Sequence, residues 1–175
     1  MQSKTELIRT DQGGEYDNRN MTNLCAEIGA KHEMSSTQSS EENGKAEKCI
    51  QDVMGDTRTN LASKNIALGF WGYAFHYSAF NINRRPCFAN PDCASPYFMV
   101  HGKHPDYSRM QPFGQPCTVM YAKGKAPSKI SGKALPGVFL GYADDSGTKA
   151  YKVYVKSIRR VVISSDVTFL DTPSS

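Results

Sequence analysis

The hydrophobic period of this chain changes partway along it, and that change limits what it can fold into. Upstream, apolar residues recur at helical spacing. Met21, Leu24, Cys25 and Ile28 stand at i, i+3, i+4 and i+7, with Gly29 as the stop. Ala46, Ile50, Val53, Met54, Thr57 and Leu61 mark one face of a helix that opens near Ser39 or Ser40, where Ser39-x-x-Glu42 has the form of a capping box. Trp71, Ala74, Phe75, Ser78, Ala79 and Ile82 repeat the helical period up to Asn83-Arg84-Arg85-Pro86, and Trp71, at the head of that stripe, is expected in the core. Downstream of Phe113 the pattern turns to short β-rich runs at 118–121, 137–142, 150–155, 160–164 and 166–170, divided by Lys, Gly, Ser and Asp. In the third run Tyr151, Val153 and Val155 alternate with Lys152, Tyr154 and Lys156, as a half-buried strand requires.

Five such strands in so short a stretch predict a small barrel. Glu6–Thr10 ahead of the first helix and Lys31–Met34 after it predict two further short strands, the first ending at Asp11-Gln12-Gly13-Gly14. A boundary falls near 104–112, where His104-Pro105-Asp106 and Gln111-Pro112 interrupt any regular element. The expected organisation is an α/β region over 1–108 followed by a small all-β barrel over 109–175.

Composition removes several classes. No stretch approaches the ~18 consecutive apolar residues of a membrane span, and MQSKTELIRT lacks the apolar centre of a secretory signal. The expectation is an intracellular chain without a membrane partner. Five cysteines, Cys25, Cys49, Cys87, Cys93 and Cys117, are scattered with no CxxC pair, which supports neither a disulfide scaffold nor a structural zinc site. Cys25, at a helical apolar position, reads as a small buried hydrophobe. His101 and His104 flank a glycine and precede a proline, a surface-loop pattern rather than a convergent ligand pair. Arg84 and Arg85 read as charges at a helix C-terminus, favourable to its dipole.

Charge is uneven. Residues 1–111 hold 12 Lys+Arg against 13 Asp+Glu, for −1, and residues 112–175 hold 9 against 4, for +5. Lys123, Lys125, Lys129 and Lys133 fall in one polar stretch. Such a segment neutralises phosphates and releases counterions, or is a solvated loop; the sequence leaves both open.

Two acidic residues stand in distinctive strings. Asp11 lies in Arg9-Thr10-Asp11-Gln12-Gly13-Gly14-Glu15-Tyr16 at a strand end, and Glu47 lies in Asn43-Gly44-Lys45-Ala46-Glu47-Lys48 on a helix, with 35 residues between the two. With these in view, the chain resembles the integrase region of copia-type (Ty1/copia) LTR retrotransposon Pol polyproteins. RTDQGGEY resembles the block around that family's second catalytic aspartate, which falls on Asp11. SSEENGKAEK resembles the block carrying its catalytic glutamate, which falls on Glu47. FWGYAFHYSAFNINRRP, SPYFMVHGKHPDYSRMQPFG, KALPGVFLGYADDSGTKAYKVYV and ISSDVTFLD resemble, in order, the later helices and the SH3-like domain after the core.

The resemblance implies a partial RNase H-like integrase core over 1–108, an SH3-like β-barrel over 109–175, and an ancestral role in DNA integration by metal-dependent strand transfer. It implies Mg²⁺ or Mn²⁺ held by a D, D-x35-E triad, with Asp11 and Glu47 as two ligands, and two-metal phosphoryl transfer as the chemistry. Lys45 and Lys48 flank Glu47 and would meet phosphates of the DNA end. The implied partners are retroelement ends, target DNA and further copies of the chain, and the implied compartment is the nucleus. The family's first aspartate lies upstream of the Asp11 block, and this chain starts ten residues before Asp11. The expectation is therefore a polynucleotidyl transferase relative that lacks one of three metal-binding acids and is catalytically incomplete. A non-catalytic nucleic-acid-binding or protein-interaction module of retroelement origin is the alternative.

Overall fold

The computed structural model describes residues 5–10, 13–14, 18–34, 40–120, 134–143 and 149–170, apart from the side chains of 40–43 and 45. In chain order the elements are β1 (Leu7–Thr10), α1 (Arg19–Ile28), β2 (Lys31–Met34), α2 (Ser40–Ser63), α3 (Trp71–Ile82), α4 (Pro96–His101), β3 (Pro116–Met120), β4 (Ala134–Tyr142), β5 (Tyr151–Val155), β6 (Arg160–Ser164) and β7 (Val167–Phe169). The chain divides into two compact units, Met1–Asp52 with Pro86–Pro105, and Val53–Arg85 with Asp106–Ser175.

In the first unit β1 and β2 pair in parallel, Leu7 opposite Lys31 and Thr10 opposite Met34, with α1 as the crossover. The helix begins where the Asn18 side chain accepts from Met21 N–H at 3.0 Å, satisfying one orphan donor of the first turn. It ends at Gly29, whose φ of 69° is the left-handed conformation that glycine takes without a Cβ penalty. Of the expected stripe only Cys25 is buried; Leu24 and Ile28 are exposed, as are Leu7 and Met34 on the strands. Two short strands offer too little surface to cover an amphipathic helix. This β-α-β piece does not by itself define an RNase H-like core.

The second unit is built around a five-stranded antiparallel sheet in the order β6-β5-β4-β3-β7, so its first strand pairs with its last. All five strands lie at the stretches the sequence marks out, and the third alternates as read there: Val153 and Val155 are fully buried. Alternation fails in β4, where Phe139 to Ala143 are all buried. The cause is α3, whose Ala74 and Tyr77 share one core with Phe139, Leu140 and Tyr142, so this part of the strand is covered on both faces. Phe80 stacks on Tyr142 with ring centroids 4.1 Å apart, and Tyr77 meets Phe113 and Phe139 at 5.4 and 6.1 Å. A register shift between Phe139 and Gly141, with Gly141 at φ 135°, bends the strand there.

Two helical stripes differ from their sequence reading. In α2 the C-terminal half buries Val53, Thr57 and Leu61 as expected, while Ala46 and Ile50 stay exposed. Trp71 is 59% exposed, not core. It opens α3, and the preceding residue Phe70 takes the inward place, its ring 4.8 Å from Tyr154. The buried face then continues through Ala74, Tyr77 and Ser78. Ser78 and Thr57 are buried polar groups, and Thr57 donates to the Val53 carbonyl at 2.7 Å while Asn60 donates to Ser78 at 3.1 Å.

A Cβ placed on Gly137 would lie 2.5 Å from Val153 Cγ1 and 3.0 Å from the Tyr154 carbonyl oxygen, closer than packed atoms tolerate. Val153 is fully buried and cannot yield, so Gly137→Ala is expected to cost about 2 kcal/mol by overpacking, read as a lower urea midpoint. Burial also pushes the Cys117 thiol from 9.0 up to about 11, and chiefly burial pushes the Tyr142 phenol from 10.0 up to about 12. Both groups bind their protons more tightly folded than unfolded. Their contribution is thus complete below pH 9 and drains away as pH rises through 11 to 12. Unfolding midpoints followed from pH 8 to 11 should fall, and Cys117→Ala should flatten the first part of that fall.

Candidate functional site

Of the residues singled out for metal and DNA binding, the structure describes two completely. Glu47 and Lys48 lie in the first half of α2 and both are exposed. Lys48 Nζ sits 3.0 Å from Asp52 Oδ1, one helical turn on. An exposed i, i+4 pair of this kind is worth only about 0.3–0.5 kcal/mol, so Lys48 can leave Asp52 for a phosphate at little cost. The backbone of Lys45 continues the same helix. Asp11 lies outside the described residues, as do Ser39 of the expected capping box and Lys123, Lys125, Lys129 and Lys133.

Beside Asp11 the described strand end is tied to its neighbours. Thr10 Oγ1 and His32 Nε2 are 2.9 Å apart, linking β1 to β2, and Arg9 donates to Glu33 at 3.1 Å across the same pair. His32 thus has a partner on the neighbouring strand. Among the described residues no three His, Cys, Asp or Glu side chains gather as a metal site requires. Glu47 by itself is one exposed carboxylate, and one carboxylate does not hold a pair of divalent ions.

The remaining singled-out residues have plain structural roles. His101 is the last residue of α4, where a loop was expected, because Ser95 caps that short helix by accepting from Phe98 N–H at 3.2 Å and Gly102 closes it at φ 64°. Its ring lies 4.3 Å from Tyr97 and the His104 ring 4.6 Å from Phe98, so each histidine packs on its own aromatic partner. Arg84 donates to the Phe80 carbonyl at 3.1 Å in the last turn of α3, and Arg85 pairs with Asp56 at 3.1 Å.

Two features of the second unit had no clear sequence signal. A cavity of about 80 Å³ opens between α3 and the sheet, with Tyr73, His76, Tyr77, Phe80, Gly141, Tyr142 and Lys152 on its walls. The Tyr77 hydroxyl donates to the Gln111 carbonyl at 3.0 Å and the Tyr142 oxygen accepts from Gln111 N–H at 2.9 Å, so its floor is fixed by the fold. The second feature is the turn between β5 and β6, which carries Lys156, Arg159 and Arg160, all exposed, with Arg159 in the left-handed region at φ 52°. The turn brings these three exposed cations together on one short segment.

Comparison with known proteins fits this architecture. Residues 116–175 match the family model described as retroviral polymerase SH3-like domain. The Retrovirus-related Pol polyprotein from transposon TNT 1-94 of Nicotiana tabacum is 27% identical over 174 residues, which cover 97% of this chain and 12% of that protein. This chain is similar to copia-type Pol polyproteins along nearly all of its length. A second relative, the Transposon Ty1-LR3 Gag-Pol polyprotein of Saccharomyces cerevisiae, is 26% identical, the match covering 99% of this chain and 10% of that protein. The chain thus spans about a tenth of the length of the curated relatives it matches. A chain in the structure of the simian T-cell lymphotropic virus intasome in complex with PP2A regulatory subunit B56 gamma aligns with a TM-score of 0.46 and 13% identity, covering 97% of this chain and 59% of that one. The copia-type likeness runs through both units, and the SH3-like match coincides with the five-stranded sheet. No helix among the described residues is long and apolar enough to cross a membrane.

Proposed function

We propose that this chain is part of a retroelement integrase, with an RNase H-like core represented over 1–108 and an SH3-like domain over 109–175, and that its ancestral task is joining element DNA to target DNA by strand transfer. The observation that carries the reading is the Pol polyprotein likeness along 97–99% of the chain, which includes the Asp11 and Glu47 strings in order. In this reading Asp11 and Glu47 are ligands for Mg²⁺ or Mn²⁺, whose chemistry is to polarise phosphate oxygens. Lys45 and Lys48, one residue to either side of Ala46-Glu47, hold the phosphates of a DNA end. Lys123, Lys125, Lys129 and Lys133 add a non-specific grip.

A second reading, a nucleic-acid-binding module without catalysis, is favoured by one observation: the exposed basic turn Lys156-Ser157-Ile158-Arg159-Arg160 lies in the unit that carries its own closed core. Binding of this kind needs phosphate neutralisation and no metal.

One experiment separates them. The purified chain is given a labelled element-end duplex with Mn²⁺, and both retained DNA and strand-transfer product are measured. Product that disappears with Asp11→Asn or Glu47→Gln supports the integrase reading. DNA retained without product supports the second. In either case the logarithm of affinity should fall with the logarithm of salt by about 0.9 for each phosphate neutralised. Replacing Lys156, Arg159 and Arg160 by Ala should make that slope shallower by about 0.9 for each phosphate that those cations neutralise. A slope unchanged by the triple variant removes the turn from the interface.

A further inference from the structure

The loop between α3 and α4 brings together two cysteines that the sequence holds apart. Cys87 N–H donates to the Cys93 carbonyl at 3.3 Å, closing a ring of backbone around 87–93. The ring is braced from inside. Asn90 N–H donates to the Cys87 carbonyl at 3.0 Å, Cys93 N–H donates to the Asn90 carbonyl at 3.2 Å, and the Asn90 side-chain amide donates to the Ala94 carbonyl at 2.8 Å. Asp92 and Cys93 both take positive φ, 53° and 55°, a reversal that L-residues seldom adopt and that turns Cys93 back toward Cys87. With N–Cα, C=O and Cα–C bonds of about 1.46, 1.23 and 1.52 Å at the ends of that 3.3 Å hydrogen bond, the two Cα atoms lie within about 7.5 Å of each other. A disulfide needs about 4.4–6.8 Å. Cys93 is exposed and Cys87 half-buried, and both thiols are free.

We propose that Cys87 and Cys93 are a thiol–disulfide pair, oxidised by small-molecule disulfides of the glutathione class. The Cys93 thiolate attacks one sulfur of the small disulfide, forming a mixed disulfide and expelling one thiolate. The Cys87 thiolate then attacks the Cys93 sulfur, forming the Cys87–Cys93 bond and expelling the second thiolate. The two cysteines lose two electrons, the small disulfide gains them, and the two protons pass from the cysteines to the released thiols. Phe88, next to Cys87 within the ring, is 93% exposed. Cys25 and Cys117 are buried and stay outside this chemistry. Cys49 is exposed on α2 with no such backbone bridge among the described hydrogen bonds.

The test compares the folded chain with the same chain in denaturant across a series of oxidised and reduced glutathione, followed by alkylation and trypsin. Cleavage after Arg84 and Lys103 releases both cysteines in one fragment, because no Lys or Arg lies between Arg85 and Lys103. The expected result is that this fragment appears unalkylated and lighter by two hydrogens, in the folded chain at a glutathione ratio about tenfold less oxidising than in denaturant. Cys93→Ser should instead leave Cys87 open to alkylation. Equal ratios in the two states would show that the loop geometry contributes nothing and would overturn the proposal. So would separate mixed disulfides on the two cysteines at every ratio, or bridges to Cys49.

Discussion

The packing on which the second unit depends is the laying of α3 across β4. Phe139 is fully buried and Tyr77, Tyr142 and Phe113 nearly so, and rings of this size contribute about 1.5–3 kcal/mol each on burial. The two tyrosine hydroxyls add hydrogen bonds to the backbone carbonyl and N–H of Gln111, each worth about 1 kcal/mol net. By magnitude the ring burial supplies the stability. The hydrogen bonds fix position: they hold the segment that leads into β3 against the helix, so the sheet begins in one register. Gly137 and Gly141 serve the same packing, one by leaving room for Val153 and the other by taking the bend that keeps β4 under Tyr77.

The same packing explains why the α-helical and β-rich parts of the sequence are not two separate folding pieces. The period changes near Phe113, yet Val53–Arg85 pack in one unit with Asp106–Ser175. A boundary read from composition and breakers marks where element types change. It carries no information about which faces meet, because a helix stripe and a strand face are satisfied by any apolar partner of matching size.

Legibility followed the same logic. The five strands, α1 with its glycine stop, the buried Cys25 and the helix-end role of Arg84 were readable because each depends on local spacing or local capping. Trp71 was not, since whether Phe70 or Trp71 turns inward depends on Tyr154, which is distant in sequence. The consecutive burial at the end of β4 was hidden for the same reason. The Cys87–Cys93 closure escaped reading because it rests on two positive φ values at non-glycine residues, which no spacing rule announces. Of the candidate site, motif order pointed to Glu47 on a helix and to Asp11 at the end of a strand. Motifs report which residues travel together, whereas ligation depends on where their carboxylates converge.

The two units differ in how far each satisfies itself, and this bears on which chemistry each can support. The sheet unit has its first strand paired to its last, a shared aromatic core and basic residues on an exposed turn. It needs nothing further to present charge to a phosphate backbone, since that interaction requires only cations on a stable frame. The β-α-β unit leaves Leu7 and Met34 exposed on a two-stranded parallel sheet and Leu24 and Ile28 exposed on α1, an arrangement that parallel strands ordinarily avoid by being covered on both faces. Two-metal chemistry tolerates little error in ligand placement, because the ions must sit about 3.5–4 Å apart. A carboxylate at the end of such a strand is held only as rigidly as the sheet beneath it. Catalysis therefore demands more of this unit than binding does of the other, and whatever covers those apolar side chains would also steady the strand end that precedes Asp11.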